Sequence, residues 1–184
     1  DHKSSRGLGD VYKRQEYDVL IIGGGPSGLS SAIKVKQLAS AEGKEVSVCV
    51  LEKGSEIGAH ILSGNVFEPT ALNELIPDWK EKEAPLNSPA TKDIVKFMIS
   101  ENSSINIPFP SFLIPTFNNH GNYVMSLANF TRWLATQAES LGVEIFPGFT
   151  AAEVIFEENV VKGVLTGEMG ISKDGEKKPS YQPS

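Results

Sequence analysis

The sequence predicts an α/β fold built on a βαβ nucleotide-binding unit, and three observations carry that prediction. The apolar run Tyr17 to Ile22 breaks into glycines. Gly23, Gly25 and Gly28 then stand in G-x-G-x-x-G spacing. A second apolar run, Val46 to Leu51, ends on the acidic Glu52. A glycine triplet of this kind is a weak signal alone and a strong one between a strand and a helix.

The elements of the unit follow in order. Residues 17–22 read as the first strand. Gly23 permits the tight turn, Gly25 lets the backbone approach a pyrophosphate, and Gly28 lets helix and strand pack closely. Pro26 stands in the first helical turn, where a missing N–H costs nothing. From there to about Ala39, Leu29, Ala32, Ile33 and Lys36 recur at helical spacing. First-turn N–H groups have no partner inside a helix, so the amides around Pro26, Ser27 and Gly28 suit a phosphate pair. Residues 46–51 read as the second strand, and a carboxylate at its end accepts hydrogen bonds from both ribose hydroxyls of an adenosine. Glu52 fits that role and disfavours a 2′-phosphate, hence NADP. NAD and FAD remain open at this point, because both present ADP to the same unit.

The loop from Lys53 to Asn65 is rich in glycine and small polar residues, and includes His60, Leu62, Ser63 and Gly64. Such a loop can pass close to a ring system and offer it backbone N–H groups. His60 reads either as a donor beside a flavin or as a loop histidine satisfied by backbone. Phe67 to Trp79 reads as a short helix with Leu72, Leu75 and Ile76 on one face, stopped by Pro77. Trp79, among lysines, reads as a tryptophan tucked under a loop or as an anchor at a membrane interface.

Ala84 to Pro89 reads as a proline-rich linker. Residues 94–99 and 104–107 read as two strands around Glu101, Asn102 and Ser103. Phe109, Phe112, Leu113, Ile114 and Phe117 form an apolar, proline-interrupted patch. It serves either as the core of a second domain or as an apolar channel or membrane-facing surface. Ser126 caps a helix with Leu127, Phe130, Leu134, Ala138 and Leu141 on one stripe. Arg132 lies off that stripe, solvated or in contact with a pyrophosphate. Residues 143–146 read as a strand, and 152–156 with 160–165 as a hairpin. From Gly167 the sequence is polar, with a turn at Asp174-Gly175, and the chain is expected to stop within a domain. The expected divisions are 1–15, 16–83 (nucleotide unit and flavin loop), 84–124 (inserted β segment), 125–166 (return to the nucleotide domain) and 167–184. Residues 1–15 lack apolar periodicity and are expected to be a leader foreign to the protein.

Composition excludes several function classes. The formal net charge is −6 over 184 residues, which offers no basic stripe for a nucleic-acid partner. The sequence contains no run of 18 apolar residues to span a bilayer. The single cysteine, Cys49, rules out a disulfide framework and an all-cysteine metal or cluster site within this chain. In an apolar strand it reads as a buried, inert thiol.

With these residues assembled, the chain resembles the electron-transfer flavoprotein–ubiquinone oxidoreductase family from about Tyr17 to Gly175. The stretches that carry the resemblance are Leu51-Glu52-Lys53, Ile57 to Gly64, Leu75 to Lys82, Ala84 to Asn87, Asn119 to Tyr123, and Gln137 to Glu144. The resemblance implies a Rossmann-like FAD-binding domain of glutathione-reductase type, with part of an inserted antiparallel β domain for substrate or quinone. It implies FAD along Val19 to Ile33 with Glu52 on the ribose. It also implies contacts from Lys53, His60, Leu62, Ser63, Gly64 and Arg132. It further implies a monotopic enzyme of the inner mitochondrial membrane (matrix side) or bacterial inner membrane (cytoplasmic side). That enzyme would pass electrons from electron-transfer flavoprotein to ubiquinone. The segment Ile57 to Asp78 resembles the family's membrane-dipping region. The family's four-cysteine 4Fe-4S cluster has no counterpart here and is expected beyond Ser184. Two other readings remain: a FixC-like or geranylgeranyl-reductase-like flavoenzyme, and a non-catalytic fragment that binds at most the ADP half of FAD.

Overall fold

The computed structural model describes residues 15–62, 64–107, 118–172 and 174–182. The chain forms two compact units: residues 1–60 with 134–184, and residues 61–133.

The first unit holds the βαβ elements that the glycine spacing predicts. Strand β1 (Val19–Ile22) leads into helix α1 (Pro26–Ala41), and α1 returns to β2 (Val48–Glu52). β1 and β2 are parallel, with Val19 opposite Val48 and Ile22 opposite Leu51. β2 is the middle strand, because β8 (Val143–Pro147) lies parallel on its other side. A central parallel strand is covered on both faces, so its sequence is continuously apolar, and Val48 to Leu51 are all buried. Leu29, Ala32 and Ile33 of α1 are buried as well, which makes them the helix's core face. Register is pinned at the start of the sheet. The Asp18 N–H donates to Ser47 Oγ, and the Ser47 N–H donates to the Asp18 carboxylate at 2.8 Å. The Tyr17 hydroxyl donates to Glu144 at 2.9 Å.

Two hairpins complete this unit among the described residues. β9 (Ala151–Glu157) pairs with β10 (Val160–Thr166), as the alternating pattern predicts. β11 (Met169–Ile171) pairs with β12 (Lys177–Gln182). That second hairpin corrects the reading of a polar tail from Gly167 onward. Its stabilising contacts are polar and so leave no apolar alternation to read. Tyr181 donates to Glu168 at 2.6 Å, and the Lys177 ammonium lies 3.9 Å from the Tyr181 ring centroid.

The second unit is built on a small antiparallel sheet in which β7 (Tyr123–Met125) lies between β3 (Asn65–Phe67) and β4 (Ser88–Pro89). Helix α3 (Leu127–Ser140) begins in this unit, with Ser126 Oγ accepting from the Asn129 N–H. The helix expected over Phe67 to Trp79 is shorter. Phe67 belongs to β3, and α2 runs only Thr70–Leu75. Pro69 sits at its N-cap, and Ile76 is extended (φ −136°, ψ 80°) because the following Pro77 disfavours the helical conformation there. The proline-rich linker is also corrected. Ala84 and Leu86 are buried, and Ser88-Pro89 pairs with β7 at the sheet edge, where a missing N–H is tolerated.

Trp79 is 5% exposed. Its Nε1 donates to Asn73 at 2.7 Å and its ring meets Tyr123 edge-on. The indole thus packs inside the unit, as the loop-covered reading expects, and does not face outward as a bilayer anchor. β5 (Val95–Ser100) and β6 (Ser103–Ile107) form the expected hairpin. The neck leading to it is closed by Asp93, whose carboxylate accepts from the Asn119 N–H and Nδ2. Phe109, Phe112, Leu113, Ile114 and Phe117 lie outside the described residues.

Candidate functional site

The glycine loop joins the C-terminal end of β1 to α1. Gly23 extends the ladder by one step, its N–H donating to the Leu51 carbonyl at 2.7 Å. It then turns with φ +104°, a region that favours glycine. A side chain at Gly28 would collide with the Gly23 carbonyl oxygen, so helix and turn touch only because position 28 is bare. At Gly25 the space a Cβ would take is open. Gly25 is the N-cap of α1, makes no side-chain capping bond, and precedes Pro26 at the first helical position. Ser27 is exposed beside it. The result is a bare, uncapped helix start at the end of a parallel strand, which is the geometry that receives phosphate.

Glu52 ends β2 and turns its carboxylate back toward this loop. Oε2 accepts from the Gly24 N–H at 2.8 Å and Oε1 from the Gly54 N–H at 2.7 Å. A carboxylate has about four lone-pair sites, so two remain for a sugar diol. Gly54 is itself fixed from behind, its carbonyl accepting from the Gly148 N–H at 2.7 Å. The Glu52 carboxylate therefore ties the glycine loop to Gly54, and the Gly54 carbonyl in turn ties to Gly148 just after β8. Two participants escape the G-x-G-x-x-G pattern. A Cβ at the buried Gly24 would strike Ile57 Cδ1, and one at Gly54 would crowd Glu52 Oε1 at 3.0 Å. The one sequence signal for them was excess glycine: a third glycine in the triplet, and another two residues after the acid.

The other predicted residues are placed as follows. Lys53 and His60 are exposed. His60 lies near the knot, its Nδ1 3.5 Å from where a Gly54 Cβ would stand. Leu62 (94% exposed), Gly64 (φ +94°) and Arg132 belong to the second unit. Arg132 Nη1 donates to Asn129 Oδ1 at 3.1 Å. Ser63 lies outside the described residues. Glu52 and the loop from Gly23 to Gly28 are thus brought together in the first unit, with His60 beside them.

Among the described residues no three His, Cys, Asp or Glu gather into a metal-binding group, and no helix is long and apolar enough to cross a membrane. A cavity of about 520 Å³ opens in the second unit, lined by Trp79, Lys80, Glu83, Leu86, Asn87 and Tyr123 among others.

Comparison with known proteins agrees with this geometry. A family of NAD(P)-binding Rossmann-like domains matches residues 21–77, the span of the glycine loop, Glu52 and the loop beyond it. The electron transfer flavoprotein-ubiquinone oxidoreductase of Pseudomonas aeruginosa is 56% identical over 168 residues, covering 90% of this chain and 30% of that protein. The mitochondrial protein of the same name from Oryza sativa subsp. japonica is 48% identical over 182 residues, covering 98% of this chain and 30% of its own length. Among solved structures, a geranylgeranyl bacteriochlorophyll reductase-like protein from Thermoplasma acidophilum superposes with a TM-score of 0.58 at 25% identity. That match covers 82% of this chain and 34% of the other. The fold is the Rossmann-like, mixed α/β type of FAD-binding oxidoreductases. By sequence the chain is similar to the electron transfer flavoprotein-ubiquinone oxidoreductases, and it spans 30% of the length of those two relatives.

Proposed function

We propose that this chain is the FAD-holding part of an enzyme that takes electrons from reduced electron-transfer flavoprotein and delivers them to ubiquinone. The observation that carries the reading is the Glu52 carboxylate, fixed by Gly24 and Gly54 beside an uncapped helix start. In this reading the amides after Gly25, with Pro26 and Ser27, take the pyrophosphate, and the two remaining lone-pair sites of Glu52 take the ribose hydroxyls. The family resemblance adds Lys53, His60, Leu62, Ser63, Gly64 and Arg132 as further cofactor contacts. Bound flavin supplies the electron storage. The chain's own residues bind, orient and exclude water, and no side-chain general base is required.

The names of the relatives support the two electron partners, because both relatives cited carry them. The rest of the assignment follows the family resemblance. A 4Fe-4S cluster is held by cysteines of the longer protein, since this chain has one. The enzyme lies on the inner mitochondrial membrane, matrix side, in a eukaryote, or on the bacterial inner membrane, cytoplasmic side. The geranylgeranyl-reductase-like alternative shares the fold, but its 25% identity is well below the 56% and 48% of the oxidoreductases.

Titration of the purified chain with FAD and with NADP tests the core of the proposal. FAD is expected to be retained through desalting with a flavin absorption band, and NADP is not. Glu52→Ala is expected to weaken FAD binding roughly 10- to 100-fold, from about 1.5–3 kcal/mol for hydrogen bonds to a charged group. Unchanged affinity would remove Glu52 from the site.

A further inference from the structure

The cavity in the second unit has no role in what has been described. Its wall begins with a turn after α2. The Trp79 N–H donates to the Ile76 carbonyl, and the Ala84 N–H donates to the Trp79 carbonyl at 3.0 Å. Glu83 closes the turn at φ +54°, a left-handed position where glycine is usual. Leu86 is buried just beyond it, and Ser88-Pro89 then pairs with β7, which sets Pro89 opposite Tyr123. Turn and strand enclose about 520 Å³, lined by Trp79, Lys80, Glu83, Leu86, Asn87 and Tyr123 among others. These residues all belong to the second unit. Small-molecule sites occupy roughly 300–1,000 Å³, and this volume falls within that range.

Floor and rim differ in chemistry. Trp79 and Leu86 are buried, and the indole is fixed by its hydrogen bond to Asn73 and by the edge-on ring of Tyr123. Together they present a rigid apolar surface. Lys80, Glu83 and Asn87 are exposed around it. The neighbouring Asp78 and Lys82 neutralise each other in an ion pair at 3.1 Å. Lys80 and Glu83 are also oppositely charged and three residues apart, a spacing at which side chains on a helical turn meet. They nevertheless form no ion pair, and the Lys80 ammonium lies 5.3 Å from the Trp79 ring centroid instead. Neither the Glu83 nor the Asn87 side chain has a hydrogen-bond or ionic partner among the described residues. The rim thus offers one carboxylate, one ammonium and one amide, with no net charge.

We propose that this cavity binds a small zwitterion with an apolar side group, of the α-amino acid class. The ligand's ammonium meets the Glu83 carboxylate, its carboxylate meets the Lys80 ammonium, and its apolar group lies on Trp79, Leu86 and Tyr123. The Asn87 amide donates to the ligand carboxylate and accepts from the ammonium. Charge complementarity selects this class. A lone cation meets Lys80 as a like charge, a lone anion meets Glu83 as one, and a neutral ligand leaves both charges unmatched. The site is separate from the FAD reading, because neither the glycine loop nor Glu52 takes part in it.

The test follows the indole N–H signals of the two tryptophans by NMR in the full chain. Trp79 lines the cavity, and Trp133, whose indole donates to the Lys82 carbonyl, serves as the reference. Three probes share one ring: L-phenylalanine with both charges, phenethylamine with the ammonium alone, and 3-phenylpropionate with the carboxylate alone. L-Phenylalanine is expected to shift the Trp79 signal saturably, with half-saturation at about 1 mM or below, and to leave Trp133 in place. Each single-charge probe is expected to bind about tenfold more weakly, the loss of one charged contact. Lys80→Gln and Glu83→Gln change exposed side chains and are expected to leave thermal unfolding unaltered. Glu83→Gln should bring L-phenylalanine down to the affinity of 3-phenylpropionate, and Lys80→Gln down to that of phenethylamine. If either variant fails to fold, the three probes on the wild-type chain still decide. No saturable Trp79 shift up to about 10 mM L-phenylalanine would overturn the proposal. So would a single-charge probe binding as tightly as L-phenylalanine, the result expected of a merely apolar contact.

Discussion

At the scale of single residues, the nucleotide loop depends on atoms that are missing. Gly28 is bare so that the Gly23 carbonyl can approach the helix, and at Gly25 the space a Cβ would take is open. Gly24 has a different reason. Ile57 fills the space its side chain would need, while its N–H holds Glu52 at 2.8 Å. Gly24→Ala is accordingly expected to destabilise the chain by about 1–3 kcal/mol, the usual cost of overpacking. Ile57→Ala placed behind it should recover part of that loss. Urea unfolding of the two variants checks this, and equal stability of single and double variants would show that Ile57 is not the obstacle. Of these positions, three glycines and the acid were legible from spacing alone. Gly24, Gly54 and Ile57 were not, because their roles exist only once the loop folds back on the carboxylate.

Among the elements, β2 explains most of the first unit. It is the middle strand, buried along Val48 to Leu51, and its last residue supplies the carboxylate. Its thiol is pushed up to about 11, first by burial and then by the negative charge of Glu144. At the edge of the same sheet, burial and the hydrogen bond to Glu144 push the Tyr17 hydroxyl up to about 12. Both groups are neutral acids whose ionisation is harder in the folded state than in the unfolded one. Their contribution is therefore complete below the unfolded value of 9.0 for the thiol. It is lost as pH climbs through 9–11 for Cys49 and 10–12 for Tyr17. Denaturation midpoints measured from pH 8 to 11 are expected to fall above pH 9, and Cys49→Ala should flatten the first part of the fall. Alkylation of the native thiol at pH 8 should be slow for the same reason.

Elements with an apolar periodicity were legible in advance: β1, α1, β2, α3, β8 and the β9–β10 hairpin. The β11–β12 hairpin was not, since hydrogen bonds and a cation over a ring hold it. Nor was the end of the expected helix at Phe67, where ring packing on Phe130 outweighs local preference.

For the whole molecule, the formal net charge of −6 favours solubility, but apolar surface opposes it. On the β5–β6 hairpin, Phe97 stands opposite Ile105, and Phe97, Ile99 and Ile105 are all more than half exposed. On β9–β10, Phe156 and Val161 stand opposite one another and are exposed likewise. Exposed two-stranded ribbons with apolar faces are prone to pair with other chains. Phe97→Thr combined with Ile105→Thr is expected to reduce self-association of the isolated chain while leaving FAD affinity unchanged. Sedimentation velocity at several concentrations checks it, and undiminished association would move the sticky surface elsewhere.

By itself the sequence determined the parallel βαβ unit, the glycine turn and the acid at the end of the second strand. Those follow from local rules: apolar runs make strands, helical spacing makes helices, and a bare backbone makes the turn. Only the tertiary structure decided that Glu52 is held by the Gly24 and Gly54 amides, that Trp79 faces inward, and that Asn65 buries a carbonyl with no donor among the described residues. Each of these is a meeting of atoms from separate stretches of chain, and spacing along a sequence carries no record of which distant groups a folded backbone brings within 3 Å.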